Sequence, residues 1–166
     1  MADDASDYSY LDGGLKRMLD RLQAEGTATK DADADQLLRD DPTAVVLGLL
    51  FDQRVLAETA FCGPHKLRTR LGHLDPARIA AMDPAAFAAV FAETPAVHRF
   101  TASMAVRTQE VAARLDALGG AGALWETGTA AEVQQRIQAL PGFGPLKAKK
   151  LAHCLFYFGH RDLSES

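Results

Sequence analysis

Residues 137–152 of this chain are IQALPGFGPLKAKKLA, and this stretch decides the fold of the C-terminal part. The pattern is typical of a helix, a tight turn spelled Pro-Gly-Phe-Gly, and a second helix that begins at a proline. Gly142 and Gly144 permit positive φ and let another molecule approach the backbone closely. Ala148, one turn into the second helix, is small enough for the two helices to cross at short range. The stretch therefore predicts two tightly packed helices joined by an open turn.

The start of the second helix has the chemistry of an anion site. Its free backbone N–H groups point outward, where a phosphate oxygen accepts them with help from the helix dipole. Lys147, Lys149 and Lys150 add three positive charges there, although the dipole disfavours cations at a helix start. The alternative is a helical hairpin without a ligand, since such turns are common. The doubled glycine and the clustered lysines favour nucleic acid.

The rest of the chain carries the residues that typically start and end helices. Asp41 and Pro42 predict the start of a helix over the continuous apolar run of residues 44–51, although such a run could also suit a buried strand. Gly63 predicts the end of a helix over residues 55–62, and Pro64 the start of another. Further helices are predicted at residues 15–25, 77–82, 85–93, 100–118 and 145–158, and after Thr129. No hairpin dipeptide separates alternating strands, so the expected class is all-α, a compact multi-helix domain with the hairpin near its C-terminus.

Composition fits one soluble domain, but its charge is unevenly distributed. The chain has 166 residues, 48% hydrophobic and 24% charged, with a formal net charge of −4. A net negative charge alone argues against a nucleic-acid binder. Residues 1–44 carry eleven acids and five bases, whereas residues 45–166 carry eleven acids and thirteen bases. The acidity therefore belongs to the N-terminal quarter, and the rest of the chain is mildly basic.

The cysteine and histidine content excludes several classes. Two cysteines, Cys62 and Cys154, are too few for a disulfide framework, a four-cysteine zinc site or an iron–sulfur cluster. His153 and Cys154 are adjacent on a helix and point apart, so we expect a surface histidine, a buried cysteine and no metal. The N-terminus lacks the layout of a signal peptide, and no apolar run approaches about 20 residues. A cytoplasmic protein without a membrane segment is expected.

Three parts are expected along the chain. Residues 1–33 form an acidic segment, in which the first dozen residues are a disordered or weakly docked tail ahead of a short amphipathic helix. Residues 34–159 form the main domain, and residues 160–166 a C-terminal tail.

The spelling of residues 140–148 is that of a helix-hairpin-helix motif, and the likeness extends further. The chain resembles the helix-hairpin-helix (HhH-GPD) DNA glycosylase superfamily and, within it, a small group of base-excision DNA repair proteins, over about Ala34 to Gly159. Besides the hairpin and the Asp-Pro-Ala helices, the segments that carry this resemblance are residues 35–39, 46–54, 60–64 and 67–72. It implies a protein that binds damaged double-stranded DNA, flips a base out of the duplex and cuts its N-glycosidic bond.

The resemblance also implies DNA-binding residues. The expected DNA contacts are Gly142, Phe143, Gly144, Leu146, Lys147, Lys149, Lys150 and Gln53. Gln53 matches a glutamine that reaches into the duplex in endonuclease III-like relatives. Its other interpretation, a polar helix end that bonds its own loop, stays equally open.

The catalytic groups of the superfamily transfer less directly. The position of its nucleophilic lysine is occupied by Leu146, and Lys147 lies one place too late, so a monofunctional enzyme that uses water is expected. Asp162 is the expected catalytic carboxylate, with a solvated tail charge as the alternative. Asp52, beside Gln53, is a weaker candidate, and we expect it to cap the following helix instead.

Cofactors and competing functions complete the expectation. No cofactor and no iron–sulfur cluster are expected, although a monovalent cation at the hairpin stays open, and we expect a monomer. One alternative function is a non-catalytic helix-hairpin-helix DNA-binding protein that has lost the catalytic aspartate. Another is a protein-interaction domain in which the acidic N-terminal segment covers the hairpin. No local pattern names the damaged base.

Overall fold

The structure, a computed structural model, describes residues 4–164, and in this part of the chain the secondary structure is entirely helical, without a strand. The predicted all-α class is confirmed. The helices are α1 Gly14–Glu25, α2 Ala32–Asp40, α3 Pro42–Phe51, α4 Ala57–Leu71, α5 Pro76–Ala81, α6 Pro84–Ala92, α7 Thr101–Leu118, α8 Ala130–Gln138 and α9 Pro145–Tyr157. A 3₁₀ turn, Ala121–Leu124, follows α7.

Helix α3 forms the centre of the core. Its start follows the predicted signals, with Pro42 in the first turn and the Asp41 side chain accepting a hydrogen bond from the Thr43 N–H at 2.9 Å. Every residue from 43 to 51 is buried, because α2, α4, α7 and α9 pack around it. The run is therefore a fully buried helix, and the strand alternative is wrong.

Helix α4 is continuous where the sequence predicts a break. It runs through Gly63 and contains Pro64 in its interior. Gly63 is a packing residue: a methyl group there would lie 2.6 Å from Cδ2 of Phe51. Burial of the helix against α3 thus overrides the usual cost of an internal proline. The expected helix end at Gly63 is wrong. Glycine there serves the packing against Phe51, which the local sequence does not indicate.

The N-terminal segment, residues 4–13, is docked rather than loose. Ala5 and Tyr8 are buried, and the Ala5 carbonyl lies 2.7 Å from Nδ1 of His153. The Tyr157 hydroxyl donates to the Ser6 carbonyl at 2.5 Å. His153 is therefore buried, not the expected surface residue, because this segment covers it. His153 is eight residues after Pro145, so these contacts lie about 12 Å along α9 from its start, at 1.5 Å per residue.

The C-terminal helices form the predicted hairpin. A capping box joins Thr129 and Glu132 at the start of α8, with both hydrogen bonds at 3.2 Å. Helix α9 then packs against α8 on one side and α3 on the other. Across residues 4–164, no helix combines the length and apolarity that crossing a bilayer requires.

Candidate functional site

The hairpin turn is held by Gly142 and Phe143. Gly142 has φ of +82°, which favours glycine, and the Phe143 N–H donates to the Leu140 carbonyl at 3.0 Å. Phe143 is buried, so its ring packs inward rather than standing out as a DNA contact. A methyl group on Gly142 would touch Leu50 of α3 and the stem of Arg107 of α7, at 3.5 and 3.4 Å. The turn is therefore seated against two other helices.

Gly144 needs no glycine for the sake of the fold. Its φ of −140° is an ordinary extended conformation, and nothing lies within 4 Å of the position that a methyl group would take. It immediately precedes Pro145 at the start of α9, and no side chain caps this helix end. Gly144 therefore does not use the positive φ that glycine permits. What glycine provides there is an open path to the helix N–H groups.

The three hairpin lysines are not equivalent. Lys149 is exposed and Lys150 is half-buried. Lys147 turns inward: its Nζ donates to the Leu49 carbonyl at 3.0 Å and lies 5.6 Å from the centre of the Phe143 ring. Leu146, the residue before it, is 55% exposed and extends into solvent despite being apolar.

The contact of Lys147 fits a need of helix α3. The last carbonyl groups of a helix have no partner within it. Because α3 ends in the core, its carbonyls take partners from elsewhere: the Phe51 carbonyl lies 3.0 Å from Nε2 of His98. The Leu49 carbonyl accepts from the Asp52 N–H at 3.2 Å as well as from Lys147.

Gln53 is bound to its own helix in this structure. Its side-chain Nε2 donates to the Leu50 carbonyl at 2.8 Å. The structure thus realises the second of the two interpretations of this residue, a polar helix end. The next residue, Arg54, has φ of +58°, a left-handed conformation that no sequence signal indicated.

Asp52 is a half-buried carboxylate beside the hairpin lysines. Burial raises the pKa of its carboxyl group, and the charges of Lys150 and Lys147 oppose that rise. Among the residues that the structure describes, none donates a hydrogen bond to this carboxylate or forms an ion pair with it. Its oxygens reach solvent, since the described residues contain no fully buried side-chain polar atom without a partner. The carboxylate is therefore partly desolvated and still accessible from solvent.

The expectation that Asp52 caps the next helix is wrong. The residue at the start of α4 is Leu56, and no side chain caps that end. Asp52 instead ends α3, in a conformation with φ of −75° and ψ of 67°. The sequence around Asp52 does not indicate this setting, because the lysines that face it are about 95 residues away in the chain.

Burial and the proximity of a second cation also change Lys147. Burial lowers the pKa of its ammonium to about 8, an effect that the charge of Asp52 opposes and that of Lys150 increases. Lysine desolvation of this kind is common at functional sites but also accompanies structural contacts. Here the hydrogen bond to α3 accounts for the position of the side chain.

Asp162 lies on the surface, in contrast to the half-buried Asp52. It is exposed, and its carboxylate accepts a hydrogen bond from the Ser164 N–H at 2.8 Å in a local turn. The flanking residues are docked: Leu163 is buried, and Arg161 donates to the Gly128 carbonyl at 2.9 Å. The segment is held in place while the carboxylate of Asp162 faces water, as the alternative interpretation describes.

One further cluster lies between the start of α2 and helix α4. Ligand atoms of Asp31, Asp33 and His65 lie within 4.8 Å of one another, a grouping that sequence analysis missed. The carboxylate of Asp31 already accepts from the N–H groups of Asp33 and Ala34 as the cap of α2. Both aspartates are exposed, and we assign no metal to this cluster.

No protein-family model matches the chain, and no curated protein matches it.

Proposed function

We propose that this chain is a DNA-binding protein of base-excision repair, similar in its chemistry to the helix-hairpin-helix DNA glycosylases. The observation that carries the proposal is the half-buried Asp52 carboxylate beside Lys147 and Lys150 of the hairpin, which accepts no hydrogen bond from residues 4–164. A partly desolvated carboxylate that accepts no hydrogen bond from its neighbours costs stability, and such a cost is characteristic of functional sites.

The hairpin provides the DNA contact in this proposal. A backbone phosphate lies against the N–H groups at the start of α9, where Gly144 leaves the approach open. Lys149 is exposed for a second phosphate, and Lys150 adds positive charge nearby. These contacts position the duplex and carry no sequence information. We therefore expect strongly salt-dependent binding.

Asp52 provides the chemistry. When the N-glycosidic bond of a flipped nucleotide breaks, its electron pair leaves with the base and positive charge develops on the sugar. A fixed carboxylate in a partly desolvated site stabilises that charge. Water then adds to the C1′ carbon and transfers a proton to Asp52, while the departing base takes up a proton from solvent. The products are a free base and an abasic site.

Hydrolysis by water, rather than attack by lysine, is the favoured course. Lys147 donates to the Leu49 carbonyl and is engaged as a structural partner of α3. Leu146, at the position of the superfamily's nucleophile, has no amine. The proposal is therefore a monofunctional activity.

A non-catalytic DNA-binding protein is the second candidate. It is favoured by the exposure of Asp162, the residue that the resemblance implied as the catalytic carboxylate. In that case the hairpin binds duplexes and no base is released.

One experiment separates the candidates. Duplexes that contain uracil, hypoxanthine, alkylated or oxidised bases are incubated with the protein at low salt, and both binding and free base are measured. Binding with release of a base supports a glycosylase, and binding without release of any base supports the second candidate. Absence of binding at low salt contradicts both.

A further inference from the structure

Two side chains share one acceptor at the end of α3. The Leu50 carbonyl accepts from Nε2 of Gln53 at 2.8 Å, and Nζ of Lys147 lies 3.5 Å from the same oxygen. The shorter contact of Lys147 is to the Leu49 carbonyl, one residue earlier on the same helix end. A small movement of the ammonium therefore transfers it from one carbonyl to the next.

The sharing matters because the helix end is buried. Leu49 and Leu50 are both fully buried, so water does not readily replace a lost donor at these carbonyls. The Leu49 carbonyl retains the Asp52 N–H if Lys147 moves away. The Leu50 carbonyl has only the two side chains, Gln53 and Lys147, as its described side-chain donors. When the side chain of Gln53 or Lys147 moves away, the other is needed to donate a hydrogen bond to the Leu50 carbonyl.

Gln53 is the side chain that has a reason to leave. Its amide contacts the Leu50 carbonyl, and the Leu50 side chain lies against Gly142 of the hairpin turn, so Gln53 is close to the proposed DNA surface. An amide both donates to and accepts from base edges, unlike the charged residues around it. In the free protein this amide is held by the Leu50 carbonyl.

We propose that Lys147 is a positioning residue that releases Gln53: its ammonium takes over the Leu50 carbonyl when the glutamine amide turns into the DNA. The inference rests on the proposed DNA binding. Lysine suits this role because its ammonium has three donors on a flexible stem, enough to serve both carbonyls at once. The partial burial of Lys147 between α3 and the Phe143 ring keeps it within reach.

The exchange is tested first in the free protein, by a double-mutant cycle of Gln53→Ala and Lys147→Met. Each single variant leaves one donor for the Leu50 carbonyl, so we expect a small fall in the urea midpoint. The double variant leaves none, and its midpoint is expected to fall by more than the sum of the two. Additive effects overturn the proposal. Lys147→Arg, which keeps the donors, is expected to behave as the unaltered protein does.

Duplex affinity then tests the release. Gln53→Ala and Lys147→Met are each expected to weaken binding about tenfold or less, a typical loss for one contact to a base. The double variant should bind the duplex no more weakly than Lys147→Met alone, because without Lys147 the glutamine already stays on Leu50. The matched control is Lys149→Met, an exposed hairpin lysine whose effect should multiply with that of Gln53→Ala.

The outcomes distinguish the inference from the function on which it rests. If Lys147→Met multiplies with Gln53→Ala as Lys149→Met does, the release is contradicted while DNA binding stands. If no form of the protein binds any duplex, the proposed function fails, and the release into DNA fails with it. A non-additive urea cycle would in that case still establish the shared acceptor.

Discussion

The ammonium of Lys147 lies 3.0 Å from the carbonyl oxygen of Leu49, and this contact joins the hairpin to the end of the most deeply buried helix. The hairpin is thus not an appendage on the domain. The helix that presents its N-terminus to the proposed DNA also holds the loop that carries Asp52 and Gln53.

Lys147 should make the free energy of unfolding depend on pH in the alkaline range. Burial lowers the pKa of Lys147 from 10.5 to about 8, so between these values the unfolded chain binds more protons than the folded chain. The free energy of unfolding therefore rises with pH over this interval. Because the side chain is half-exposed, we expect a gain of about 1 kcal/mol.

The measurement compares urea unfolding of the unaltered protein and Lys147→Met at about pH 7.5 and 9.5. Taking the difference between the two proteins removes the opposing contribution of Cys154, whose thiol has a pKa raised by burial. The other charged or titratable groups facing Lys147, namely Asp52, Lys150 and His98, are common to both. Parallel pH profiles would contradict the burial of this ammonium.

The two hairpin glycines should respond differently to alanine. Gly142→Ala places a side chain at φ of +82° and is expected to lower the free energy of unfolding by about 1–2 kcal/mol. Gly144→Ala meets neither strain nor a neighbour, so its effect on stability should stay within about 0.5 kcal/mol.

For duplex affinity, we expect Gly144→Ala to have a clear effect even though it leaves stability unchanged. The methyl group of Gly144→Ala stands in front of the N–H groups of α9, and we expect about fivefold weaker duplex binding with unchanged stability. Urea unfolding and a fluorescence titration measure the two effects on the same samples. Unchanged affinity in Gly144→Ala would remove the helix start from the DNA contact.

Gly63→Ala tests why α4 is continuous. The added methyl group would lie 2.6 Å from the Phe51 ring, and we expect a loss of about 1–3 kcal/mol in the free energy of unfolding. The matched control is Gly72→Ala, just past the end of α4, where φ of +83° gives backbone strain but no neighbour lies within 4 Å. In the double variant Gly63→Ala with Phe51→Leu, most of the Gly63 effect should disappear. An undiminished loss would place its cause elsewhere.

The sequence predicts features whose cause is local. Asp75 and Asp83 cap their helices as their Asp-Pro spelling indicates, through hydrogen bonds of 3.1 and 3.0 Å to the N–H groups of Ala77 and Ala86. The hairpin is predicted for the same reason, since proline, glycine and the small Ala148 act over a few residues.

Features that depend on distant parts of the chain were predicted poorly. Gly63 resembles a helix stop until Phe51 is placed against it. Asp52 resembles a helix cap until α9 brings Lys147 and Lys150 alongside. Asp162 follows the hairpin at a plausible spacing, but the docking of Leu163 leaves its carboxylate in water. A spacing reports distance along the chain, whereas a catalytic carboxylate is defined by burial and neighbours.

The carboxylate of Asp52 should lower the free energy of unfolding, as expected of a charge kept for function. Burial raises the pKa of Asp52, so ionisation near neutral pH opposes folding, and the nearly isosteric Asp52→Asn removes that charge. We expect Asp52→Asn to raise the free energy of unfolding by up to about 1 kcal/mol, as the lysines recover part of the cost. A clear fall in stability would mean that the carboxylate serves the fold.

The central claim is that Asp52, and not Asp162, carries the reaction. It is tested most directly by single-turnover release of free base from the preferred damaged duplex, with Asp52→Asn and Asp162→Asn compared at saturating protein. We expect Asp52→Asn to bind the duplex and lose at least about a hundredfold in rate, the scale of one electrostatic catalytic group. Asp162→Asn should match the unaltered protein. Full base release by Asp52→Asn, or its loss in Asp162→Asn alone, would contradict the account.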